Sequence, residues 1–247
     1  MVLASSYTFL LECFMQLAKK LDGLTFNELT LNSREVNAQR PLLPIQDHPT
    51  LARKSAAIHL HGVQPIVTAI SEQDAEDRPE LERFVRAVFK RTHKAEISHF
   101  MPKLMSVRNV DGKLLAVCGL RHAEQEKLFL ETYFDSPIET LLSQKNNTSI
   151  SRDEVVEVGN LAVAEPSNVR SLLACISLYL HTTHSEWAVF TGIAVLRNSL
   201  TKLNMSLQLL GEASVSRIPE NERAAWGTYY DERPQVMAIR RMQPTLL

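Results

Sequence analysis

Between Glu154 and Ser171 the chain reads EVVEVGNLAVAEPSNVRS, a β-branched run that passes directly into an amphipathic helix. Val155, Val156, Val158, Leu161 and Val163 predict a buried strand, and Pro166 with Ser167 stops it and opens the helix. In that helix Val169, Leu172, Leu173, Ile176, Tyr179 and Leu180 recur at three- and four-residue steps, so one face is apolar. The first-turn amides from Asn168 to Ser171 are then expected to point away from the sheet. Free amides and the positive end of the helix dipole make such a turn an anion site, and Arg170 adds a full charge. An ordinary strand-to-helix turn with no ligand is the alternative.

The 247 residues as a whole describe a globular chain: 45% are hydrophobic and 22% charged, and the 27 basic and 28 acidic residues nearly cancel. That balance gives no overall electrostatic case for nucleic acid or an anionic membrane. Cys13, Cys118 and Cys175 form no close pair and sit among apolar neighbours, which suggests a reducing compartment and a cytoplasmic protein. Phe9, Leu10, Leu11, Phe14, Met15 and Leu17 form a short apolar face, but Lys19 and Lys20 follow it and Glu12 interrupts it. The flanks are therefore wrong for an export signal. We expect an amphipathic helix and a proline-bearing linker over residues 1–54 and a compact domain over 55–247, without stable membrane insertion.

Within that domain residues 58–70 read as a strand bent at Gly62 or Pro65, with His59 and His61 on one face. No third ligand stands at a metal-binding spacing, so no metal site is expected. Asp77 with Glu80 resembles a capping box, Pro79 suits a first helical turn, and Leu81, Phe84, Val85, Val88 and Phe89 form a helix face. A strand near 104–109 turns at Asp111-Gly112 into LLAVCGLRHA. Leu128 to Tyr133 reads as a strand or a helix start, and Pro137 to Leu142 as helical. After the stretch described first come a strand at 187–193, a helix near 194–203, and strands at 205–213 and 235–241. The fold class is α/β (α+β), a mixed central sheet flanked by helices.

This order resembles the GNAT acyltransferase fold and the acyl-homoserine-lactone synthases built on it. Seven phrases also resemble the thermostable haemolysin family: RFVRAVF at 83–89, HFMPKL at 99–104, AVCGLRHA at 116–123, LFLETYFDSPIE at 128–139, EVGNLAV at 157–163, AVFTGI at 188–193 and WGTYYD at 226–231. The resemblance covers about residues 65–240. It implies two activities of different kinds, haemolysis by name and acyl transfer by fold. No clear lipid-facing strand series or spanning helix is written in the sequence. An enzyme making a surfactant-like acylated product would lyse cells indirectly.

Acyl transfer to an amine requires a site that holds the donor's phosphates or phosphopantetheine, polarises the thioester and takes a proton from nitrogen. The candidate donor-binding residues are Val163, Ser167, Asn168, Val169, Arg170 and Ser171. SNVRS lacks the glycines of the usual acetyltransferase turn, so acyl-CoA and an acyl carrier protein are both expected donors. Gly159 could open a bulge that brings Glu157 and Asn160 to one face. Glu157 also aligns with a glutamate of the autoinducer synthases. It is either a base with a raised pKa or the structural partner of a buried cation such as Arg121. Arg121 either clamps a substrate carboxylate or neutralises Glu131. Thr191, Tyr229 and Tyr230 are acceptor-side or general-acid candidates, with packing as the other reading for the tyrosines. The expected acceptor is a small amine or amino acid. A membrane-active haemolysin and a non-catalytic acyl-binding protein remain as alternatives.

Overall fold

The computed structural model describes residues 55–58, 65–202 and 205–241. The expected N-terminal helix and linker, and His59 and His61, lie outside them. Eight strands form one sheet in the order β1-β2-β3-β4-β5-β6-β8-β7. They are β1 (Ser55–Ile58), β2 (Ile66–Ser71), β3 (Lys103–Asn109), β4 (Leu114–His122), β5 (Val155–Val163), β6 (Trp187–Gly192), β7 (Leu207–Glu212) and β8 (Gln235–Arg240). Every pairing is antiparallel except β5 with β6. The single strand expected over 58–70 is thus replaced by two, β1 ending at Ile58 and β2 starting at Ile66.

Helix α1 (Arg78–His93) starts with Pro79 in its first turn, where a missing amide hydrogen costs nothing. The expected capping box does not form: Asp77 accepts from Ser71 Oγ at 2.8 Å, and Glu80 holds Arg108 at 2.6 Å. Leu81, Val85, Val88 and Phe89 pack on Leu104, Val117 and Ala162 on one face of the sheet. Alternation along β4 sends Ala116, Cys118 and Leu120 to the other face. There they meet α3 (Val169–His181) through Leu172, Ala174, Cys175 and Ile176. Fully burying each such aliphatic side chain stabilises the fold by about 1.5–3 kcal/mol. A third cluster, on the α1 side, joins Val155, Trp187 and Val189 to α2 (Ile138–Asn146) and to a 3-10 helix at Phe129–Tyr133. That 3-10 helix settles the open reading of the LFLETY stretch.

The parallel pairing of β5 and β6 runs only from Val155↔Trp187 to Val158↔Phe190. Beyond it β5 stays with β4 as far as Val163, and β6 stays with β8 as far as Gly192. The two central strands therefore splay, and a wedge opens between them. Between Gly119↔Gly159 and Val117↔Ala162 the pairing spends one extra residue on β5. The bulge centres on Asn160, whose φ is +46°, and not on Gly159. α3, after a short turn, and α4 (Ala194–Lys202) follow β5 and β6 in the chain and flank the wedge.

Candidate active site

A cavity of about 290 Å³ fills the wedge. Val158, Leu161 and Val163 of β5, Val169, Leu172 and Leu173 of α3, and Leu196 of α4 make one end apolar. At the other end stand Glu157, Asn160, Arg121, Thr191, Tyr133, His93 and Tyr229. A smaller cavity of about 70 Å³ shares Val158, Leu161, Leu173 and Leu196 and prolongs the apolar end beneath α3 and α4. An apolar recess with a few convergent polar groups is the general form of a small-molecule site.

Glu157 is 3% exposed. Its two oxygens accept the amides of Phe129 (2.7 Å) and Leu130 (3.0 Å), the unpaired first amides of the 3-10 helix. Arg121 faces it across the β4–β5 ladder. Burial outweighs the two amide bonds and the Arg121 charge and pushes the Glu157 carboxyl up to about 7. A carboxyl with its pKa raised in this way beside a cavity has the chemistry of a candidate base. No hydrogen bond joins it to Arg121.

Asn160 lines the cavity, and its Oδ1 accepts Met101 N at 2.9 Å. The bulge thus brings Glu157 and Asn160 to one cavity, as expected, but Asn160 is engaged in fixing the 98–102 segment. The Met101 carbonyl takes a 2.6 Å bond from buried Arg78. Gly159 serves a different purpose from the one expected: a Cβ there would lie 2.4 Å from Met101 Cε, so the missing side chain makes room for Met101.

Arg121 lines the cavity with Nε buried and without a hydrogen bond, 3.5 Å from Glu126. It does not neutralise Glu131. That carboxylate takes a two-pronged pair from Arg152 (2.7 and 2.9 Å) and the amides of Leu128 and Ile138. Burial alone would raise the Glu131 pKa, but the bonds from Arg152, Ile138 and Leu128 hold it below the ordinary carboxylate value. Glu131 lies outside the cavity lining and is saturated, so the substrate-binding role expected of it is withdrawn.

Thr191 Oγ1 is buried, faces the cavity and makes no hydrogen bond. Its carbonyl accepts from the Tyr229 hydroxyl at 3.4 Å. Tyr230 bonds Tyr133 at 2.6 Å and does not line the cavity. Tyr229 and Tyr230 both pack with Trp226 in an aromatic cluster. Burial raises all three phenols, Tyr230 to about 12, so each remains a proton donor at neutral pH.

The expected donor turn is changed most. A 3-10 turn at Pro166–Asn168 precedes α3, so the amides of Asn168 and Val169 are spent on Glu165 and Pro166. Asn168 Nδ2 bonds the Leu115 carbonyl at 3.5 Å, and Ser171 is buried. Ser167 and Arg170 are exposed at the surface. Of the six donor-binding candidates only Val163 and Val169 line the cavity. His93, Met101, Phe129, Tyr133 and Trp226 also line it and were not singled out from the sequence. His93 had a signal, since it continues the Leu81–Val85–Phe89 four-residue step onto the buried face of α1.

Among the described residues three buried side-chain polar atoms lack a hydrogen bond: His93 Nδ1, Arg121 Nε and Thr191 Oγ1. All three residues line this one cavity. Of the three, Arg121 Nε and His93 Nδ1 stand 3.5 Å from the carboxylates of Glu126 and Glu232, which leaves Thr191 Oγ1 as the polar atom of this set open to a ligand. No helix among these residues is long and apolar enough to cross a membrane.

Solved structures share this architecture. The AHL synthase LasI superposes with a TM-score of 0.51 at 11% identity, over 73% of this chain and 92% of LasI. TofI in an apo form gives 0.51 at 16% identity, over 72% and 93%. TofI in a ternary complex with an inhibitor and MTA gives 0.50 at 14% identity, over 74% and 95%. At these identities the likeness is one of fold. No curated protein matches the chain. Residues 71–244 match the family model described as thermostable hemolysin, so the chain belongs to the thermostable hemolysin family, with a fold like that of the AHL synthase LasI.

Proposed function

We propose that the chain is an N-acyltransferase that moves a fatty acyl group from a pantetheine thioester to a small amine or amino acid. The observation that carries this reading is the wedge cavity itself, apolar under α3 and α4 and lined at its other end by Glu157, Arg121 and Thr191. The acyl chain would lie in the apolar end. The splayed edges of β5 and β6 would flank the thioester, where backbone amides can bond a developing oxyanion.

In this reading Arg121 receives the acceptor's carboxylate with a two-pronged hydrogen bond, and Thr191 supports it. Glu157 draws in the acceptor's ammonium and takes its first proton. The nitrogen lone pair forms the C–N bond, the C–S bond breaks with its electrons on sulfur, Tyr229 protonates the thiolate, and the second proton on nitrogen is released to water. Tyr230, one hydroxyl away from Tyr133, supports that donor, and the tyrosinate recovers its proton from Glu157. Asn160 is a positioning residue that holds Met101 at the cavity wall. Val163 and Val169 contact the donor near the thioester. Ser167, Asn168, Arg170 and Ser171 would act at the surface on the donor's phosphate end. With two of the turn's amides already spent, an acyl carrier protein is as well suited as acyl-CoA. An acylated amino acid is a surfactant, which would account for a haemolytic name without insertion of this chain in a membrane.

The test is to incubate the full chain with acetyl-, octanoyl- and palmitoyl-CoA, and with the same acyl groups on a carrier protein, in the presence of mixed amino acids. Mass spectrometry then looks for N-acylated products. A product with one chain length supports the reading and sizes the pocket. The absence of product from every donor overturns it.

A further inference from the structure

His93 has no part in the steps above. It is the last residue of α1, 8% exposed, and its ring lines the cavity. Tyr229 stands edge-on to that ring with centroids 5.2 Å apart, and Phe89 stands 6.0 Å away. Nδ1 is buried without a hydrogen bond, 3.5 Å from Glu232 Oε1. Glu232 ends the 3-10 helix Tyr229–Glu232, and its side chain is 43% exposed.

The backbone fixes this pair. The His93 carbonyl accepts both Thr228 N (2.7 Å) and Thr228 Oγ1 (3.0 Å). Such close approach needs Gly227, which has φ +53° and where a Cβ would fall 2.2 Å from the same carbonyl oxygen. The end of α1 and the Thr228–Glu232 segment are therefore locked together, with the imidazole between the cavity and an exposed carboxylate. With Nδ1 turned to Glu232, Nε2 is the nitrogen left for the cavity.

Acyl transfer to an ammonium group removes two protons from nitrogen, one before attack and one after the C–N bond forms. One of them ends on sulfur and the other must reach water. Glu157 is enclosed, and both of its oxygens already accept amides. We propose that His93, oriented by Glu232, is a second catalytic proton acceptor, taking at Nε2 the proton that leaves the acceptor nitrogen after attack and delivering it to solvent. The proposal rests on the acyltransferase reading. Glu232 and Tyr229 face the ring from the neighbouring segment, and Arg121, Glu157 and His99 share its cavity. Burial lowers the His93 pKa against the pull of Glu232, which keeps the ring neutral and able to accept a proton at neutral pH.

The experiment compares the full-length wild type with H93Q, H93A and E232Q, using the donor and amino acid that give product with the wild type. General-base removal costs about 10²–10⁴-fold. We expect H93Q to lose at least about 10²-fold in kcat at unchanged donor KM, and added imidazole to restore part of the activity of H93A. E232Q should lose several-fold, and the second limb of the rate profile, which lies on the acid side of the Glu157 limb, should move to lower pH because a negative charge beside the imidazole is gone. E232Q changes an exposed side chain, so it reads the proposal even if the His93 variants fold poorly. An active wild type with an equally active H93Q, an H93A indifferent to imidazole, or an E232Q profile identical to wild type overturns the role of His93 alone. A wild type that acylates nothing overturns the acyltransferase reading and this proposal with it.

Discussion

Glu131 and Glu157 are buried carboxylates that grip the same short 3-10 helix, and they end in opposite electrostatic states. Glu131 takes two bonds from Arg152 and two from backbone amides, and its pKa falls. Glu157 takes two amides and no cation in hydrogen-bonding contact, and its pKa rises to about 7. The difference is a guanidinium. A buried charge that is fully paired holds structure, whereas one left partly paired beside a cavity is free to exchange protons, and that separates a strut from a candidate base.

Replacing each in turn should give opposite phenotypes. The largest expected effect is on activity: E157Q should lower kcat/KM by about 10²–10⁴-fold while the protein stays folded, checked by steady-state kinetics beside circular dichroism. The counterpart on the Glu131 side is Arg152→Ala, which strands a buried carboxylate. It should cost about 3–5 kcal/mol of stability, read by denaturant titration. If Arg152→Ala were to abolish activity at unchanged stability, or E157Q to unfold the chain, the contrast would be reversed.

Arg121 sharpens the comparison, because it faces Glu157 across the ladder without bonding it. Arg121→Met should raise the acceptor KM by about 10-fold or more, since a hydrogen bond to a charged group contributes about 1.5–3 kcal/mol, with a smaller effect on donor KM. A change confined to the donor would place Arg121 at the other end of the site. The smallest effect is expected of Gly159→Ala. The new methyl would meet only the flexible end of Met101, so stability should fall by about 1 kcal/mol, the low end of overpacking costs, while acyl-chain preference shifts toward shorter donors. Melting curves and a chain-length series check it.

The contrast between the two glutamates was only half legible in the sequence. The succession of strands and helices from β3 onward, the α1 face and the Asp111-Gly112 turn follow from local periodicity and turn chemistry, which a linear reading captures. Glu157 stood out because a carboxylate among valines must be buried. Glu131 also stood out, but its partner Arg152 is 21 residues away in a polar stretch with no local pattern, so Arg121 was the nearer guess. The donor turn was misread because nothing in PSNVRS separates a 3-10 entry that consumes its amides from an α-helical one that leaves them free. His93 shows in the sequence only as the next four-residue step after Leu81, Val85 and Phe89. Its meaning depends on Thr228 and Glu232, more than 130 residues downstream, which only tertiary packing brings to it.

The sign of the pH dependence is fixed by the same contrast. Catalysis needs Glu157 ionised, so kcat/KM should fall as pH drops through about 7, and E157Q should lack that limb. Glu131, with its pKa lowered, contributes stability above its unfolded value and loses it only as pH falls through the depressed one. The most direct test is a ¹³C NMR titration of glutamate carboxyl groups in the full chain from below the ordinary carboxylate range up to about pH 9, with E157Q and E131Q for assignment. The account predicts one carboxyl, absent in E157Q, titrating near 7, and the Glu131 signal still ionised below the ordinary carboxylate range. A Glu157 signal that titrates with the surface glutamates would contradict it.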